Sequence, residues 1–210
     1  ILVLDICRSK LGIGPNLDLL KAISSSHVNT PLIYGGGIHS VEEAIAVVHS
    51  GADRVVLDSV LHRYPDTVSK ISKHLGAQAV IASFPLSLQE NGSMLWYDHV
   101  AGLDVTFRKE VLDVLRPDCV SEILLIDRDH DGVPGTFEIK LLELFPVKLP
   151  SIVFGGLSVG QDLEMVLEHP LVAATAIGNT LNYSEHSVQR IKSRMTEQLI
   201  RKAHYSNDYR

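Results

Sequence analysis

Residues 31–59, PLIYGGGIHSVEEAIAVVHSGADRVVLDS, contain one strand–helix–strand unit and decide the fold class. The apolar runs Leu32–Gly35 and Arg54–Ser59 have the length of buried strands, and apolar residues at three- and four-residue spacing lie between them. Ser40 followed by Glu43 fits a capping box at the start of that helix. Two consecutive strands joined by a helix lie parallel in one sheet, so the unit predicts an α/β fold.

The same alternation extends along the whole chain. We predict one domain over residues 1–210, with a last amphipathic helix from about Ser184 to Lys202 and a frayed polar tail at 203–210. The predicted strands are Ile1–Ile6, Leu32–Gly35, Arg54–Ser59, Ala79–Phe84, Glu122–Asp127, Ser151–Phe154 and Ala173–Gly178.

Composition narrows the class of protein. The 210 residues are 45% hydrophobic and 21% charged, which is enough apolar material for a sizeable core. A net charge of -6 with 19 dispersed basic residues argues against a nucleic-acid surface. Cys7 and Cys119 lie too far apart in sequence to suggest a metal pair. No apolar run has the length of a membrane span and no signal peptide is recognisable, so we expect a cytoplasmic protein without metal or cofactor.

Glycine placement separates the two architectures that fit this alternation. An open dinucleotide-binding sheet expects G-x-G-x-x-G after its first strand, whereas CRSKLGIGPN at residues 7–16 has only two glycines. A (βα)8 barrel expects phosphate sites after its late strands, where Gly155–Gly156 and Gly178–Asn179 occur. Such a barrel has eight strands and takes about 250 residues. This chain has seven predicted strands in 210 residues. We therefore predict a TIM-type (βα)8 barrel that lacks its first βα unit within this chain.

Three glycine-rich turns follow predicted strands: Gly35–Gly37, Gly155–Gly156 and Gly178–Asn179. Backbone amides in such turns form an anion pocket without basic side chains. A single glycine pair after a strand is more often only a tight turn, but its recurrence favours ligand sites. Because the first turn is far from the other two in sequence, we expect two phosphate sites at opposite sides of a barrel mouth.

These segments resemble a known family. Residues 31–59, EILLIDRDHDG at 122–132, IVFGGLS at 152–158 and AIGNTLNY at 176–183 are similar to the cyclase subunit of imidazole glycerol phosphate synthase. They also resemble its sister, the phosphoribosylformimino-aminoimidazole carboxamide ribotide isomerase. The similarity covers essentially the whole chain, from the family's second strand to its last helix.

The resemblance implies that a long substrate is held by its two terminal phosphates. One phosphate would contact Gly36, Gly37 and the Ser59 hydroxyl. Asp5 and Asp131 match family site positions and are the candidate catalytic residues. Asp58 replaces the usual Asn beside the phosphate, and its carboxylate would repel the phosphate by about 1 kcal/mol. The other phosphate would contact Gly155, Gly156, Gly178 and Asn179.

The cyclase reaction also needs carboxylates that this chain only partly supplies. It adds ammonia from a glutaminase partner, closes an imidazole ring and expels an aminoimidazole ribotide, with proton transfers at several centres. Of the family's two catalytic Asp residues, one would lie on the strand outside this chain. Pro85, in AVIASFPLS at residues 79–87, occupies the position of the other and has no proton to exchange. The nearest carboxylates, Glu90 and Asp98, lie beyond the predicted strand end.

The resemblance also implies an ammonia entrance at the opposite end of the barrel, ringed by charged residues at strand starts. Arg54 and Glu122 match the family's gate positions, and Asp53 matches a residue that faces the glutaminase. Charges at strand starts are also commonly just solvated. Because the isomerase uses no ammonia, these residues favour the cyclase.

Residues 127–138 have a second interpretation, because Asp127, Asp129, Asp131, Gly132 and Glu138 satisfy the calcium-loop pattern D-x-D-x-D-G-x5-E. An EF-hand needs a helix before this loop, whereas SEILLI at residues 121–126 is a predicted strand, so no metal is predicted. Among ten scattered histidines, only His130 is expected at the mouth.

Three functions therefore remain open. The first is the cyclase of histidine biosynthesis, a lyase-type enzyme that works with a glutaminase subunit on a phosphorylated small molecule. The second is a diverged paralogue that passes ammonia to another acceptor, as in sugar amidation. The third is a protein that only binds a phosphorylated ligand.

Overall fold

A computed structural model of the protein describes residues 1–26, 30–158, 161–178, 181, 186–195 and 200. Its strands are β1 (Leu2–Leu4), β2 (Ile33–Gly35), β3 (Arg54–Leu57), β4 (Val80–Leu88), β5 (Met94–Asp98), β6 (Leu103–Val105), β7 (Glu122–Asp127), β8 (Ser151–Phe154) and β9 (Val172–Thr175). All except β5 and β6 form one parallel sheet in the order β1-β2-β3-β4-β7-β8-β9.

The strand order follows the chain order, as in a (βα)8 barrel and unlike an open doubly wound sheet, whose order reverses at a switch point. Within the described residues, β1 and β9 do not pair with each other, so the sheet is open between them. The predicted incomplete TIM-type barrel is confirmed.

Helices connect the parallel strands. The predicted capping box is present at the start of α3 (Val41–His49). There the Glu43 amide donates to Ser40 Oγ and the Ser40 amide donates to Glu43 Oε2, each at 3.1 Å. The predicted last helix is described only as α9, and the tail at 203–210 lies outside the described residues. The described helices are α1 (Ile6–Leu11), α2 (Leu17–Ser25), α3 (Val41–His49), α4 (Ser59–Arg63), α5 (Pro65–Leu75), α6 (Lys109–Val114), α7 (Lys140–Leu144), α8 (Gln161–Glu168) and α9 (Ser187–Ser193). No helix in this described part of the chain is long and apolar enough to cross a membrane.

Apolar side chains cover both faces of the sheet. Successive residues of a strand point to opposite faces, so each strand contributes to both layers. The larger layer packs under the helices and includes Val55. The smaller layer fills the inner face of the curved sheet and is built from Val56, Ile81, Leu124 and Ile152. This inner layer is the interior of the barrel.

Several strands end earlier than predicted. β2 stops at Gly35, so β1 pairs only as far as Leu4 and not to Ile6. β3 ends at Leu57 rather than at Ser59, which is instead the first residue of α4. Likewise β9 covers Val172–Thr175 instead of Ala173–Gly178. The predicted site residues therefore lie in the turns after the strands.

β4, by contrast, is longer than predicted. It continues past Phe84 to Leu88, because β5 folds back and pairs antiparallel with its second half, from Leu86 opposite Trp96 to Leu88 opposite Met94. β6 then pairs antiparallel with β5. We call β5 and β6 the hairpin extension; neither was predicted as a strand from the sequence. It returns the chain to the carboxyl ends of the parallel strands.

Candidate active site

The carboxyl ends of the parallel strands meet at one edge of the sheet, which we call the mouth. Two separate pockets lie there. The first pocket follows β1, β2 and β3, and its lining includes Asp5, Gly36, Gly37, Asp58, Ser59 and His99. The second pocket follows β7, β8 and β9, and its lining includes Asp131, Gly155, Gly156 and Gly178. The structure thus brings each predicted set of phosphate-binding residues together, while Asn179 lies outside the described residues.

The two candidate catalytic aspartates do not share a pocket. Asp5 lies in the first pocket and Asp131 lies in the second. Each therefore lies beside a different glycine turn of the mouth.

The first pocket is built by close backbone packing. Gly36 has φ +135°, and a Cβ atom added there would lie 2.5 Å from the carbonyl oxygen of Asp5. The Gly37 amide already donates to Ser9 Oγ at 3.2 Å. Ser59 is 4% exposed at the start of α4. These glycines are consequently required by the fold itself.

The second pocket is also built by close backbone packing around glycines. Gly155 has φ +93°, and a Cβ atom there would collide with the carbonyl oxygen of Asp127. The Gly156 carbonyl accepts a hydrogen bond from the Thr136 amide at 2.9 Å, which ties the turn to the loop after β7. Asp131 enters the pocket from that loop.

Asp58 has unexpected neighbours in the first pocket. Its carboxyl oxygens lie 3.7 Å from His62 Nε2 and 3.6 Å from His99 Nε2. The buried atoms Asp58 Oδ1 and His62 Nε2 have no hydrogen-bond partner within the described residues. The His62 and Trp96 rings stack with centroids 3.4 Å apart, which holds His62 against the hairpin extension.

Burial sets the charges of this group. It raises the pKa of Asp58 to about 8, assisted by the negative charge of Asp98 and opposed by the Trp96 indole. Burial lowers the pKa of His62 to about 4 and also lowers that of His99. At neutral pH, Asp58 is therefore mainly an uncharged acid beside two uncharged imidazoles, and the short distances are not ion pairs.

Asp98 carries the negative charge of the group. Burial acts to raise its pKa, but hydrogen bonds from the Ala101 and Val100 amides, at 3.0 and 2.8 Å, outweigh burial and lower the pKa. Asp98 is consequently ionised at neutral pH. The phosphate repulsion predicted for an ionised Asp58 does not apply at that pH, because Asp58 is mainly protonated.

Pro85 lies inside β4, opposite Ile126 of β7, and not at a strand end. Its alternation with Ile81 and Ser83 places it on the inner face of the sheet. A carboxylate at this position would reach the barrel interior near the mouth, whereas the proline side chain is buried and has no titratable group.

The calcium-loop interpretation does not fit the side chains. Asp127 is 1% exposed, and its carboxylate accepts from the Glu138 amide at 2.8 Å and lies 2.8 Å from His130 Nδ1. Asp129 accepts from Ser87 Oγ instead, and Asp131 lines the second pocket. The carboxylates thus diverge, and no metal-binding cluster of three or more side chains occurs in the described ranges.

The opposite end of the barrel, which we call the base, contains an ion pair. Arg54 Nη1 lies 2.6 Å from Glu122 Oε2, and Arg54 Nη2 donates to Ser121 Oγ at 2.6 Å. The two predicted gate residues are therefore paired across the start of β4 and are not merely solvated. Asp53 accepts from the Leu32 amide at 2.7 Å, so part of its role is to fix the start of β2.

Sequence reasoning missed His62 and His99, and it named Asp98 only as a carboxylate beyond the predicted strand end. One signal was available, since Asp58 and His62 are four residues apart and meet at the start of α4. Asp98 and His99 gave no local signal, because only the hairpin extension brings them to the first pocket.

Comparison with known proteins identifies similar chains. The chain is 27% identical over 197 residues to the imidazole glycerol phosphate synthase subunit HisF of Helicobacter hepaticus, covering 92% of this chain and 77% of that protein. It is 27% identical over 206 residues to the HisF subunit of Dictyoglomus thermophilum, covering 95% and 80%. It is 31% identical over 186 residues to a Parasynechococcus marenigrum protein provisionally named as the synthase subunit hisF2, covering 87% and 68%.

A family model described as histidine biosynthesis protein matches residues 1–187, which is most of the chain. The chain belongs to the histidine biosynthesis protein family.

Proposed function

We propose that the protein is a cyclase-type barrel that binds a ligand with a phosphate at each end and adds ammonia supplied by a glutaminase partner. The observation that carries this proposal is the pair of glycine-turn pockets on one mouth, with the Arg54–Glu122 ion pair at the base. The similar proteins named as imidazole glycerol phosphate synthase subunits support a role in histidine biosynthesis.

The two pockets suit phosphate groups through backbone amides and the Ser59 hydroxyl. A phosphate in the first pocket would contact Gly36, Gly37 and Ser59, beside the protonated form of Asp58. A phosphate in the second pocket would contact Gly155, Gly156 and Gly178, with Asn179 as a further predicted contact. Asp5 and Asp131 would contact the polar middle of the ligand.

The barrel interior suits the passage of ammonia. Between the base and the mouth it is filled by Val56, Ile81, Leu124 and Ile152, an apolar layer that is at most 7% exposed. An apolar interior disfavours the ammonium ion and favours neutral ammonia, because burying an unpaired charge is costly. We propose that a glutaminase docks at the base, near Asp53, and that the Arg54–Glu122 pair controls entry.

Pro85 favours a second candidate function. If the missing carboxylate is essential for ring closure, the chain transfers ammonia to another phosphorylated acceptor, such as a sugar phosphate. The ammonia path and the phosphate pockets serve both candidates equally, and only the chemistry at the mouth differs.

The test is turnover by the 210-residue chain with ammonium chloride and the phosphoribulosyl-formimino substrate, with products identified by mass spectrometry. Imidazole glycerol phosphate as product supports the cyclase, and Ser59→Ala should then raise KM. Glutaminase activity that rises when the chain is added, without this product, supports the second candidate. Absence of both contradicts ammonia transfer by these 210 residues.

A further inference from the structure

Four ionisable side chains meet beside the first pocket without any role in the function proposed above. Asp58 follows β3 and His62 lies in α4, while Asp98 and His99 come from the end of β5. Two distant segments of the chain thus converge on one point. Asp58 and His99 both line the first pocket, so the group faces the site where a phosphate is proposed to bind.

Two buried polar atoms of these four side chains lack a hydrogen-bond partner within the described residues. His62 is nearly buried, with 6% of its side chain exposed, and its Nε2 atom has no hydrogen-bond partner within the described residues. Asp58 Oδ1 is likewise buried and unpartnered, 3.7 Å from that nitrogen. Because unpaired buried polar atoms are costly, these two atoms call for a further partner, such as a ligand or a water molecule.

The charges around Asp58 favour a carboxyl group that holds a proton until a ligand arrives. Asp98 is the fixed negative charge, and its two backbone hydrogen bonds keep it ionised. Asp58, whose pKa is raised by burial, stays mainly neutral beside it at pH 7. The other charged or titratable groups that act on this cluster are His62, His99, Arg63, Arg108 and Arg128.

We infer that Asp58 is an acid–base residue of the mouth, which exchanges a proton with a phosphorylated ligand held against Gly36, Gly37 and Ser59. In the forward step, the O–H bond of Asp58 breaks and the proton passes to an oxygen or nitrogen atom of the ligand. The carboxylate then regains a proton from water at the exposed side of the pocket, beside His99, which is 33% exposed.

The position of Asp58 limits the ligand class. Asp58 precedes Ser59, so a phosphate bound by the Ser59 hydroxyl places the neighbouring ligand atoms within reach of the carboxyl group. The group that receives the proton is therefore a carbonyl, imine or hydroxyl close to the phosphate, as in a sugar or polyol phosphate. Asp58 would supply at this pocket the proton chemistry that Pro85 cannot.

This inference rests on the phosphate site of the proposed function but not on turnover. Its test uses sulfate, which stays a dianion throughout the range studied. Calorimetric titration of the 210-residue chain at pH 8, in buffers of different ionisation enthalpy, gives the protons taken up per sulfate. Because about half of Asp58 is ionised at a pH equal to its pKa, wild type should take up about half a proton.

Two variants make this test specific. Asp58→Asn introduces the residue usual in the family and should bind sulfate without proton uptake. Glu90→Gln, an exposed change in the turn after β4, should keep the uptake of wild type. No sulfate binding, no uptake in wild type, or uptake that persists in Asp58→Asn would overturn the inference.

Turnover separates this inference from the proposed function. With ammonia and a substrate that wild type converts, Asp58→Asn should lower kcat by about 100-fold or more, as expected for loss of a general acid. Unchanged kcat in that variant overturns the catalytic role. If wild type converts no substrate but shows Asp58-dependent proton uptake, the proposed function fails while the proton-exchanging site stands.

Discussion

Asp58 carries a carboxyl group that is uncharged at neutral pH in the folded chain and charged in the unfolded chain. Its pKa rises from 3.8 to about 8 on folding, so between these values the folded chain binds one more proton. The free energy of unfolding therefore falls as pH rises through this window, and the loss is complete above pH 8. His62, with its pKa lowered to about 4, acts in the opposite direction below pH 6.5.

The first prediction follows from this proton balance. Between pH 6.5 and 8.5, wild type should lose about 2 kcal/mol of unfolding free energy, because one pKa unit corresponds to about 1.4 kcal/mol. Asp58→Asn should lose almost none over that interval and be more stable by about 2–4 kcal/mol at pH 8.5. Urea unfolding at four pH values measures both quantities. Parallel pH profiles for wild type and the variant would show that Asp58 is ionised in the folded chain.

Gly36 is a second residue at which the surroundings limit what can be substituted. With φ +135° and the Asp5 carbonyl oxygen 2.5 Å from any added Cβ, Gly36→Ala should cost about 3 kcal/mol or more. Gly178→Ala is the matched control, because its Cβ would only touch the Phe154 ring at 3.6 Å. Thermal or urea unfolding should therefore separate the two variants clearly, and equal stabilities would contradict the described turn.

At the scale of elements, the hairpin extension places Asp98 and His99 beside Asp58. Arg128, next to the end of β7, pairs with Asp104 of β6 and stacks over the Tyr97 ring of β5, with its guanidinium 4.6 Å from the ring centroid. These contacts tie both hairpin strands to the parallel sheet. Asp98 and His99 keep their positions beside Asp58 only while this attachment holds.

Arg128→Met should therefore loosen the hairpin extension without unfolding the barrel. We expect amide hydrogen exchange to become about 10-fold faster in residues 94–105, corresponding to about 1.4 kcal/mol of lost local stability. Exchange in β2 and β3 should stay unchanged. Arg116→Met is the control, since its pair with Asp118 is largely exposed, and uniform acceleration across the sheet would contradict a local attachment.

The parallel strands and α3 were predictable because their signals are local. The capping box of Ser40 and Glu43 and the apolar spacing of α3 lie within a few residues. The continuation of β4 past Pro85 was not predictable in this way, since proline usually marks an edge or an end of a strand. β4 extends because β5, whose partner residues are six or more positions away along the chain, pairs with it.

The residues of the candidate site also differ in whether a local sequence signal predicts them. Gly36, Gly155 and Asp131 were found because each follows a recognisable strand, and parallel strands bring such residues to one mouth. The neighbours of Asp58 were not found, because Asp98 reaches it through a return of the chain. Its protonation depends on burial, which no short stretch of sequence reveals.

At the scale of the whole molecule, the mouth and the base are held by different kinds of interaction. The glycine turns of the two pockets are held by close backbone packing, whereas the base is held by an ion pair. Arg54 starts β3 and Glu122 starts β7, and their ion pair spans the beginning of β4, which lies between them. Arg54 also donates to the Gln78 carbonyl just before β4, at 2.9 Å.

This arrangement predicts energetic coupling across the base. The Arg54 and Glu122 side chains are only 23% and 21% exposed, so their interaction is less screened than that of a surface pair. In a double-mutant cycle of Arg54→Met and Glu122→Gln, we expect a coupling energy of about 1–2 kcal/mol from urea unfolding. The Arg116–Asp118 pair, 52% and 70% exposed, is the matched control and should give a clearly smaller coupling, because solvent screens it. Equal coupling in the two cycles would mean that the base pair is only a solvated contact, and the charged entrance proposed for ammonia would then lose its structural support.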